Sequence, residues 1–196
     1  MSDLSLKPEI IVFAGPNGSG KSTIKKNVKT VGIYINTDDI KRTTHCTDKE
    51  AADHADKLRE EALNKSVDFT FETVLSKKDT LQFLQRAKTK GYFIRGFYIL
   101  TLDPAVNVLR VHVRVKDGGH DVPEDKIRSR YKKSLGQLPE LINICDVLHV
   151  YDNTVEPVRI FKKRKTEYFV YENEVWDINE IEKLTGIKKY SIKKSQ

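Results

Sequence analysis

The stretch EIIVFAGPNGSGKS, residues 9–22, decides how this chain folds. It opens with a short apolar run that ends in glycine, which is typical of a strand buried on both faces. Residues 15–22 then match the pattern G-x-x-x-x-G-K-[ST] in full, and from Gly20 to about Val28 the sequence becomes helical. A loop of this kind between a buried strand and a helix predicts a phosphate-binding loop, or P-loop.

The predicted loop binds phosphate mainly through its backbone. Its glycines allow successive N–H groups to point at one anion, and the N-terminus of the following helix adds to the positive potential. We expect Lys21 to reach the β- and γ-phosphates of ATP and the Ser22 hydroxyl to bind Mg²⁺. The predicted ATP-binding residues are Gly15, Pro16, Asn17, Gly18, Ser19, Gly20, Lys21, Ser22 and Thr23.

Strand patterns alternate with helical ones through the first four-fifths of the chain. Two helix starts are specific, because Thr47 and Glu50 form a capping box and Asp103 with Pro104 forms an N-cap followed by a first-turn proline. This order predicts right-handed βαβ units and therefore an α/β fold, a doubly wound P-loop domain with a mostly parallel five-stranded sheet. The predicted strands lie at residues 9–15, 31–36, 67–73, 92–102 and 146–151.

The character of the sequence changes after Glu156. Residues 158–161 and 167–171 predict two antiparallel strands around a basic turn, and a short helix over residues 178–184 precedes a basic tail. We expect a P-loop kinase domain over residues 1–156. Residues 157–196 then form a hairpin, a helix and a tail packed on it. The basic run at residues 162–165 is expected to be a solvated hairpin edge, and the tail to be frayed.

Composition limits the classes of partner. The chain of 196 residues has 35 basic and 28 acidic residues, a net charge of +7 that suits anionic ligands without choosing among them. Nucleic acid is not expected, because the basic runs lack regularly interleaved aromatic residues. A membrane is not expected either, since no apolar run approaches about 20 residues.

Two features of the chain predict a cytoplasmic protein. Cys46 and Cys145 are too few for a disulfide framework, so we expect free thiols in a reducing compartment. Residues 1–8 lack an apolar segment before a small-residue cleavage site, so no signal peptide is expected.

Absent motifs narrow the kinds of P-loop protein. No predicted strand ends in an apolar run followed by Asp-Glu, which would position a hydrolytic water, and no Asn-Lys-x-Asp guanine-binding motif occurs. The chain is also short for a helicase core. These observations favour a small kinase over the hydrolytic ATPases, GTPases and helicases.

Three carboxylates follow the predicted strands on the side where a doubly wound sheet binds its ligands. Asp38 and Asp39 come after the second strand, and Glu72 closes the third. A kinase that phosphorylates an alcohol needs a carboxylate to accept the hydroxyl proton. The alternative for Asp38 and Asp39 is that they cap the helix that follows.

Four arginines flank the glycine-bearing loop KDGGHDVP, residues 116–123. Arg110 and Arg114 share a helical face, whereas Arg128 and Arg130 are two residues apart and point differently. Residues 114–130 are therefore a candidate lid that excludes water and brings arginine charge to the transferred phosphate. His120 is a candidate phosphate contact in the loop or, equally, a loop cap, and ordinary solvated arginines are the alternative for the rest.

The ordered set GPNGSGKST, INTDDI, FETVLS and RVKDGGHDVPEDKIRSRYKKSL, followed by YDNT, resembles the zeta toxin family, and most closely its small stand-alone branch. The resemblance implies a kinase that uses ATP and Mg²⁺. By position, Asp38 matches the catalytic base and Glu72, with Thr73 beside it, the carboxylate that holds the sugar. Arg114 and Arg130 match the lid arginines.

The resemblance also implies an acceptor and a partner. Characterised relatives phosphorylate the 3′-hydroxyl of the amino sugar in UDP-N-acetylglucosamine, and a helical antitoxin neutralises them, here expected to act in trans. Two alternatives stay open on the residues. One is a P-loop kinase with another acceptor, namely an antibiotic, a nucleotide or a nucleic-acid 5′ end. The other is a non-catalytic, nucleotide-dependent module that binds nucleic acid through its basic tail.

Overall fold

The structure is a computed structural model that describes residues 7–119 and 121–194. The described residues therefore exclude His120, the end of the tail and most of the N-terminal segment in which a signal peptide would lie. The strands are β1 (Glu9–Ala14), β2 (Ile33–Ile35), β3 (Phe69–Thr73), β4 (Phe93–Leu100), β5 (Val147–Asp152), β6 (Val158–Arg164), β7 (Glu167–Glu172) and β8 (Ser191–Lys194). The helices are α1 (Lys21–Lys25), α2 (Thr37–Thr44), α3 (Asp48–Lys65), α4 (Asp79–Thr89), α5 (Pro104–Lys116), α6 (Glu124–Gly136), α7 (Leu138–Ile144) and α8 (Ile178–Thr185).

The strands form one sheet in the order β2-β3-β1-β4-β5-β6-β7-β8. The first five in that order are all parallel, which confirms the predicted five-stranded α/β core. β6 pairs antiparallel with β5, β7 antiparallel with β6, and β8 parallel with β7. The C-terminal hairpin thus continues the same sheet, because the outer edge of β5 offers it unpaired backbone groups. Over the residues that the structure describes, the sheet has eight strands where five were predicted.

The helix starts follow the sequence signals. Thr47 and Glu50 form the predicted capping box of α3. Asp103 caps α5 by accepting a hydrogen bond from the backbone N–H of Ala105 at 2.6 Å, and Pro104 is in the first turn, as predicted. These caps satisfy N–H groups that have no partner inside the helix. α1, expected to reach about Val28, ends at Lys25 and continues as turns.

Helices α3, α4, α7 and α8 pack on one face of the sheet. The main core lies beneath them, where Phe69, Phe71 and Tyr98 are fully buried together with Leu84 and Ile181 from the helices. Rings of the strand residues meet those of α4 edge-on, for example Phe71 and Phe83 with centroids 6.0 Å apart. Among the described residues, no helix combines the length and apolar character that crossing a membrane requires.

The other face of the sheet carries a row of stacked rings. α1 covers this face by packing its Ile24 side chain in the same cluster as Phe13. The ring of Phe13 stacks on that of Phe97 at 5.2 Å, Phe97 on His149 at 5.2 Å, and His149 on Tyr151 at 6.3 Å. Burial, together with the smaller effect of nearby cationic side chains, lowers the pKa of His149 to about 3. His149 is thus neutral in the folded chain.

The basic C-terminal segment departs from expectation at Lys163 and in the tail, while Arg164 and Lys165 are exposed as expected. Lys163 is only 7% exposed, and its Nζ donates to the carbonyl oxygens of Ile142 at 2.6 Å and Asn143 at 3.1 Å. It is therefore not part of a solvated edge, because it completes the C-terminal end of α7. The tail is not frayed at residues 191–194, which form β8 against β7.

A buried hydrogen bond joins the C-terminal segment to the end of β5. The indole Nε1 of Trp176 donates to Asp152 Oδ2 at 2.6 Å, and both side chains are buried. The other carboxylate oxygen accepts from the backbone N–H of Thr154 at 2.7 Å and from its hydroxyl. Asp152 thereby fixes the start of the loop after β5 from two sides.

We predict that Trp176→Phe lowers the free energy of unfolding by about 1–3 kcal/mol, because it leaves a buried carboxylate oxygen without its donor. Urea unfolding followed by far-UV circular dichroism measures the change. Val175→Ala, at a neighbouring side chain that is 50% exposed, is expected to stay within about 0.5 kcal/mol of the native chain. Equal stability of both variants would show that the indole hydrogen bond contributes nothing.

We predict that His149→Phe makes the chain less sensitive to acid. The unfolded chain binds a proton on His149 below its ordinary pKa of 6.5, whereas the folded chain does not until about 3, so stability falls as the pH falls through this window. Phenylalanine keeps the ring stack and removes the proton site. Between pH 7 and 5 the native chain should lose roughly 1 kcal/mol more than the variant, after allowance for solvent screening. Parallel urea titrations test this, and identical losses would contradict it.

Candidate active site

The P-loop connects β1 to α1 and is wrapped closely against two asparagines. Gly18 and Gly20 both have positive φ angles, 75° and 86°. A Cβ on Gly20 would lie 2.0 Å from Nδ2 of Asn153, and one on Gly18 would lie 2.5 Å from the carbonyl oxygen of Asn107. Both glycines are therefore required by the backbone conformation and by the wall behind the loop.

The same two asparagines hold the loop through their side-chain amides. Asn107 Nδ2 donates to the carbonyl oxygen of Asn17 at 2.5 Å, and Asn153 Nδ2 donates to that of Ser19 at 2.8 Å. Both are almost fully buried, at 0% and 4% exposure. Sequence reasoning assigned them no role, although a polar residue directly after the fifth strand, in YDNT, is a signal that could have indicated one.

Lys21 lies folded back on its own loop. Its Nζ donates to the carbonyl oxygens of Gly15 at 2.9 Å and Pro16 at 3.2 Å. Burial lowers the pKa of Lys21, while the charges of Glu72 and Asp38 act in the opposite direction and that of Arg114 adds to the lowering. Three side chains that come from β3, α2 and α5 thus act electrostatically on the P-loop lysine.

A cavity of about 700 Å³ opens beside the P-loop. Of the predicted site residues, the structure brings ten to its wall: Asn17, Gly18, Gly20, Lys21, Ser22, Asp38, Glu72, Thr73, Arg114 and Arg130. The remaining four lie elsewhere. Gly15, Pro16 and Ser19 are buried in the inner turn of the loop, and Thr23 is exposed on α1.

Asp38 enters the cavity from the first turn of α2. The cap of this helix is Asn36, whose Oδ1 accepts from the backbone N–H of Asp38 at 2.8 Å, so neither Asp38 nor Asp39 is the cap. Asp39 accepts from Arg42 Nη2 at 2.7 Å. The two neighbouring carboxylates therefore have different surroundings.

Glu72 is held by a network that sequence reasoning missed. The Tyr34 hydroxyl donates to Glu72 Oε1 and accepts from Lys25 Nζ at 2.9 Å and from Asn36 Nδ2 at 3.1 Å. Lys25 Nζ also lies 3.7 Å from Glu72 Oε1. Burial and the hydrogen bond to Glu72 raise the pKa of Tyr34, which keeps its hydroxyl protonated. No spacing along the chain indicated this network, because its members come from α1, β2, α2 and β3.

The arginines of the candidate lid separate into two groups. Arg110, Arg114 and Arg130 line the cavity. Arg110 donates to the carbonyl oxygens of residues 153 and 154 at 2.7 and 3.0 Å, and Arg130 Nη1 lies 3.3 Å from Asn17 Oδ1. Arg128 instead pairs with Glu124 one turn earlier on α6. Arg128 is not brought to the cavity wall.

Cationic side chains also line the wall away from the P-loop. The Arg59 guanidinium lies 5.0 Å from the centroid of the Phe71 ring and pairs with Asp56, and the Arg59 side chain is only 16% exposed. Lys41 and Lys77 lie on the same wall. The cavity wall thus carries several cationic side chains together with the carboxylates of Asp38, Asp39, Asp48 and Glu72.

The donor set fits a magnesium ion bound together with phosphates. Mg²⁺ takes oxygen ligands and in kinases is held by one or two protein groups plus phosphate oxygens. The Ser22 hydroxyl supplies such an oxygen on the cavity wall. Within the described ranges, no group of three or more His, Cys, Asp or Glu side chains could hold a metal by itself.

By sequence, the chain is similar to a known protein family and to a protein of Haemophilus influenzae. Residues 2–175 match the family model of the Zeta toxin family. An uncharacterized protein of Haemophilus influenzae is 32% identical over 132 residues, which cover 64% of this chain and 94% of that protein.

Two solved structures share the fold at low identity. A structure of the PezAT toxin–antitoxin system of Streptococcus pneumoniae has a TM-score of 0.55 at 19% identity and covers 76% of this chain and 70% of that one. The complex of AvrRxo1-ORF1 with ORF2 and ATP has a TM-score of 0.69 at 17% identity and covers 91% and 64%.

We predict that Asn153→Ala weakens ATP binding by about tenfold, because the carbonyl of Ser19 loses its donor and the loop loses its rear support. Isothermal titration calorimetry with the purified chain measures the dissociation constant. Asn64→Ala, which removes the amide that Lys90 contacts on the surface of α3, should leave the constant unchanged. If both variants bind ATP as the native chain does, Asn153 does not shape the loop.

Proposed function

The chain belongs to the zeta toxin family of P-loop kinases, and on that premise we propose that it transfers the γ-phosphate of ATP to a hydroxyl of a nucleotide sugar. The acceptor we propose is the 3′-hydroxyl of UDP-N-acetylglucosamine or a closely related molecule. The AvrRxo1-ORF1 complex, which shares the fold, was solved with ATP, in keeping with ATP as the donor.

One observation favours this chemistry above the alternatives. Lys21, Asp38, Glu72 and the arginines Arg114 and Arg130 line a single cavity, although they come from five different elements. A loop that only bound nucleotide would need the lysine and the glycines alone. The additional carboxylates, beside the position of the transferred phosphate, are what an alcohol acceptor requires.

Asp38 is the proposed general base. Its carboxylate accepts the proton of the acceptor hydroxyl, and the oxygen then attacks the γ-phosphorus. The bond from that phosphorus to the bridging oxygen breaks, and ADP leaves with the electron pair. Asp39 is a poorer candidate because its carboxylate is paired with Arg42.

The cations of the site stabilise the charge that is spread over the transferred group. Lys21, once released from the carbonyls of Gly15 and Pro16, contacts the β- and γ-phosphates, and Arg114 and Arg130 approach from the lid. The Ser22 hydroxyl would hold Mg²⁺, which would neutralise part of the phosphate charge. Closure of residues 114–130 over the site excludes water and so protects ATP from hydrolysis.

The side chains that line the cavity outside the P-loop support an acceptor that carries phosphates of its own. Glu72 is oriented by Tyr34 and lies beside Thr73, a pair suited to hold sugar hydroxyls. Arg59 and Lys77, which line the same cavity, offer positive charge to a diphosphate. A free sugar or an antibiotic without phosphate would not use this charge.

We also propose a cytoplasmic protein that is neutralised by a separate antitoxin. Two structures of the same fold come from complexes described as a toxin–antitoxin system and as ORF1 with ORF2. Cys46 and Cys145 are free, as expected in a reducing compartment. Residues 1–156 form the catalytic part in this proposal, and residues 157–196 extend its sheet.

We predict that Asp38→Asn lowers kcat by about 10²- to 10⁴-fold, the range for loss of a general base, and leaves ATP affinity within about twofold. The assay is mass spectrometry of the products formed from ATP, Mg²⁺ and UDP-N-acetylglucosamine, in which the acceptor should gain one phosphate. Asp39→Asn is the matched control at the neighbouring residue and should retain most of the activity.

The acceptor is tested in the same assay with N-acetylglucosamine, an aminoglycoside and a 5′-hydroxyl oligonucleotide. Phosphorylation of one of these in place of the UDP-sugar would reject the nucleotide-sugar acceptor and keep the kinase. Full activity of Asp38→Asn, or loss of activity only in Asp39→Asn, would reject Asp38 as the base.

A further inference from the structure

The half of the sheet formed by β5 to β8 has a face that the main core does not use. α7 and α8 pack on the opposite face, and α1 lies over β1 and β4. Side chains on this second face are partly exposed or exposed. We call it the aromatic–basic face and define it by six side chains: Tyr151, Arg159, Lys162, Phe169, Tyr171 and Lys193.

Strand register makes aromatic and cationic side chains alternate across this face. Tyr151 on β5 is opposite Arg159 on β6, and Lys162 on β6 is opposite Phe169 on β7. Tyr171 on β7 is then opposite Lys193 on β8. Neighbouring strands are about 4.8 Å apart, so each ring lies within reach of a cation on the next strand. Aromatic and cationic side chains alternate from one strand to the next, perpendicular to the strand direction. The basic runs along the sequence therefore do not show this alternation.

The rings and cations are already in contact. The Arg159 guanidinium lies 5.4 Å from the centroid of the Tyr151 ring and 5.6 Å from that of Tyr171, and its Nη2 donates to the Tyr151 hydroxyl at 2.9 Å. Lys193 Nζ lies 5.7 Å from the centroid of Phe169. These contacts hold the aromatic side chains in place on a rigid sheet, so little entropy is lost when a flat ligand stacks on them.

The charge of this face is predominantly positive. Arg95 and Arg164 also lie on it, and its acidic side chains are Glu9, paired with Arg95 at 2.9 Å, and Glu167 beside the turn. Inside the sheet, the positive charges of Arg159, Lys162 and Arg95 contribute to lowering the pKa of His149. The face therefore combines positive potential with partly exposed aromatic rings.

We propose that the aromatic–basic face binds single-stranded nucleic acid. Unpaired bases stack on Tyr171 and Phe169, and the phosphates between them lie against Lys162, Arg159 and Lys193. A duplex suits the face less well, because its base faces are hidden in the helix. Anionic lipid would use the positive charge and leave the fixed rings without a specific partner. This binding is independent of the kinase activity, since none of the six side chains lines the cavity beside the P-loop.

The test is fluorescence anisotropy of a labelled 15-residue oligothymidylate with the full chain at low salt. Tyr171→Ala should weaken binding by about 5- to 100-fold, the loss of one stacked base, whereas Tyr171→Phe, which keeps the ring, should bind as the native chain does. Lys162→Gln should lower the salt slope by about 0.7. The matched control is Lys57→Gln on α3, an exposed lysine on the helical side of the sheet, which should change neither value.

Four results would overturn the proposal. The first is no anisotropy change up to about 100 μM protein, which equals the weakest dissociation constant expected for non-specific binding. The second is native affinity of Tyr171→Ala. The third is an equal effect of Lys162→Gln and Lys57→Gln, or equal competition by a duplex, both of which indicate non-specific attraction. The fourth is capture by phosphatidylserine vesicles that oligothymidylate does not displace. Unchanged ATP binding by Tyr171→Ala establishes that the variant is folded.

Discussion

The P-loop keeps its wrapped conformation because two buried amides hold it from behind. Asn107 and Asn153 each donate to a carbonyl oxygen of the loop and fill the space where a Cβ at Gly18 or Gly20 would lie. The supports come from α5 and from the end of β5. Pairing of β5 beside β4 therefore places Asn153 where its amide reaches the carbonyl oxygen of Ser19. The segment after β5 also contacts α5, since Arg110 donates to the carbonyls of residues 153 and 154.

Much of the fold and part of the site could be predicted from the sequence. The P-loop motif is a local sequence signal, and the caps at Thr47 and Asp103 are likewise local signals. The positions of Asp38 and Glu72 followed from strand order alone, because parallel strands bring their carboxyl ends to one edge. These inferences needed only sequence spacing and the handedness of βαβ units.

The rest depends on contacts between segments far apart in the chain. Tyr34 and Lys25 meet Glu72 only because β2 pairs with β3, and nothing in the sequence marks that tyrosine as different from others. The burial of Lys163 similarly requires α7 to end above β6. Nucleic acid was not expected because the basic runs lack aromatic residues interleaved along the chain. A sheet can interleave side chains across strands, and that arrangement is set by register, which sequence patterns specify poorly.

The contact between Trp176 and Asp152 gives the molecule an intrinsic optical reporter. Trp176 is the single tryptophan of the chain, and its indole N–H is bound to the residue that precedes Asn153. One amide hydrogen bond and one peptide bond connect the P-loop to this indole. We therefore expect a displacement of the P-loop to change the intrinsic fluorescence, which would report on the nucleotide site without a label.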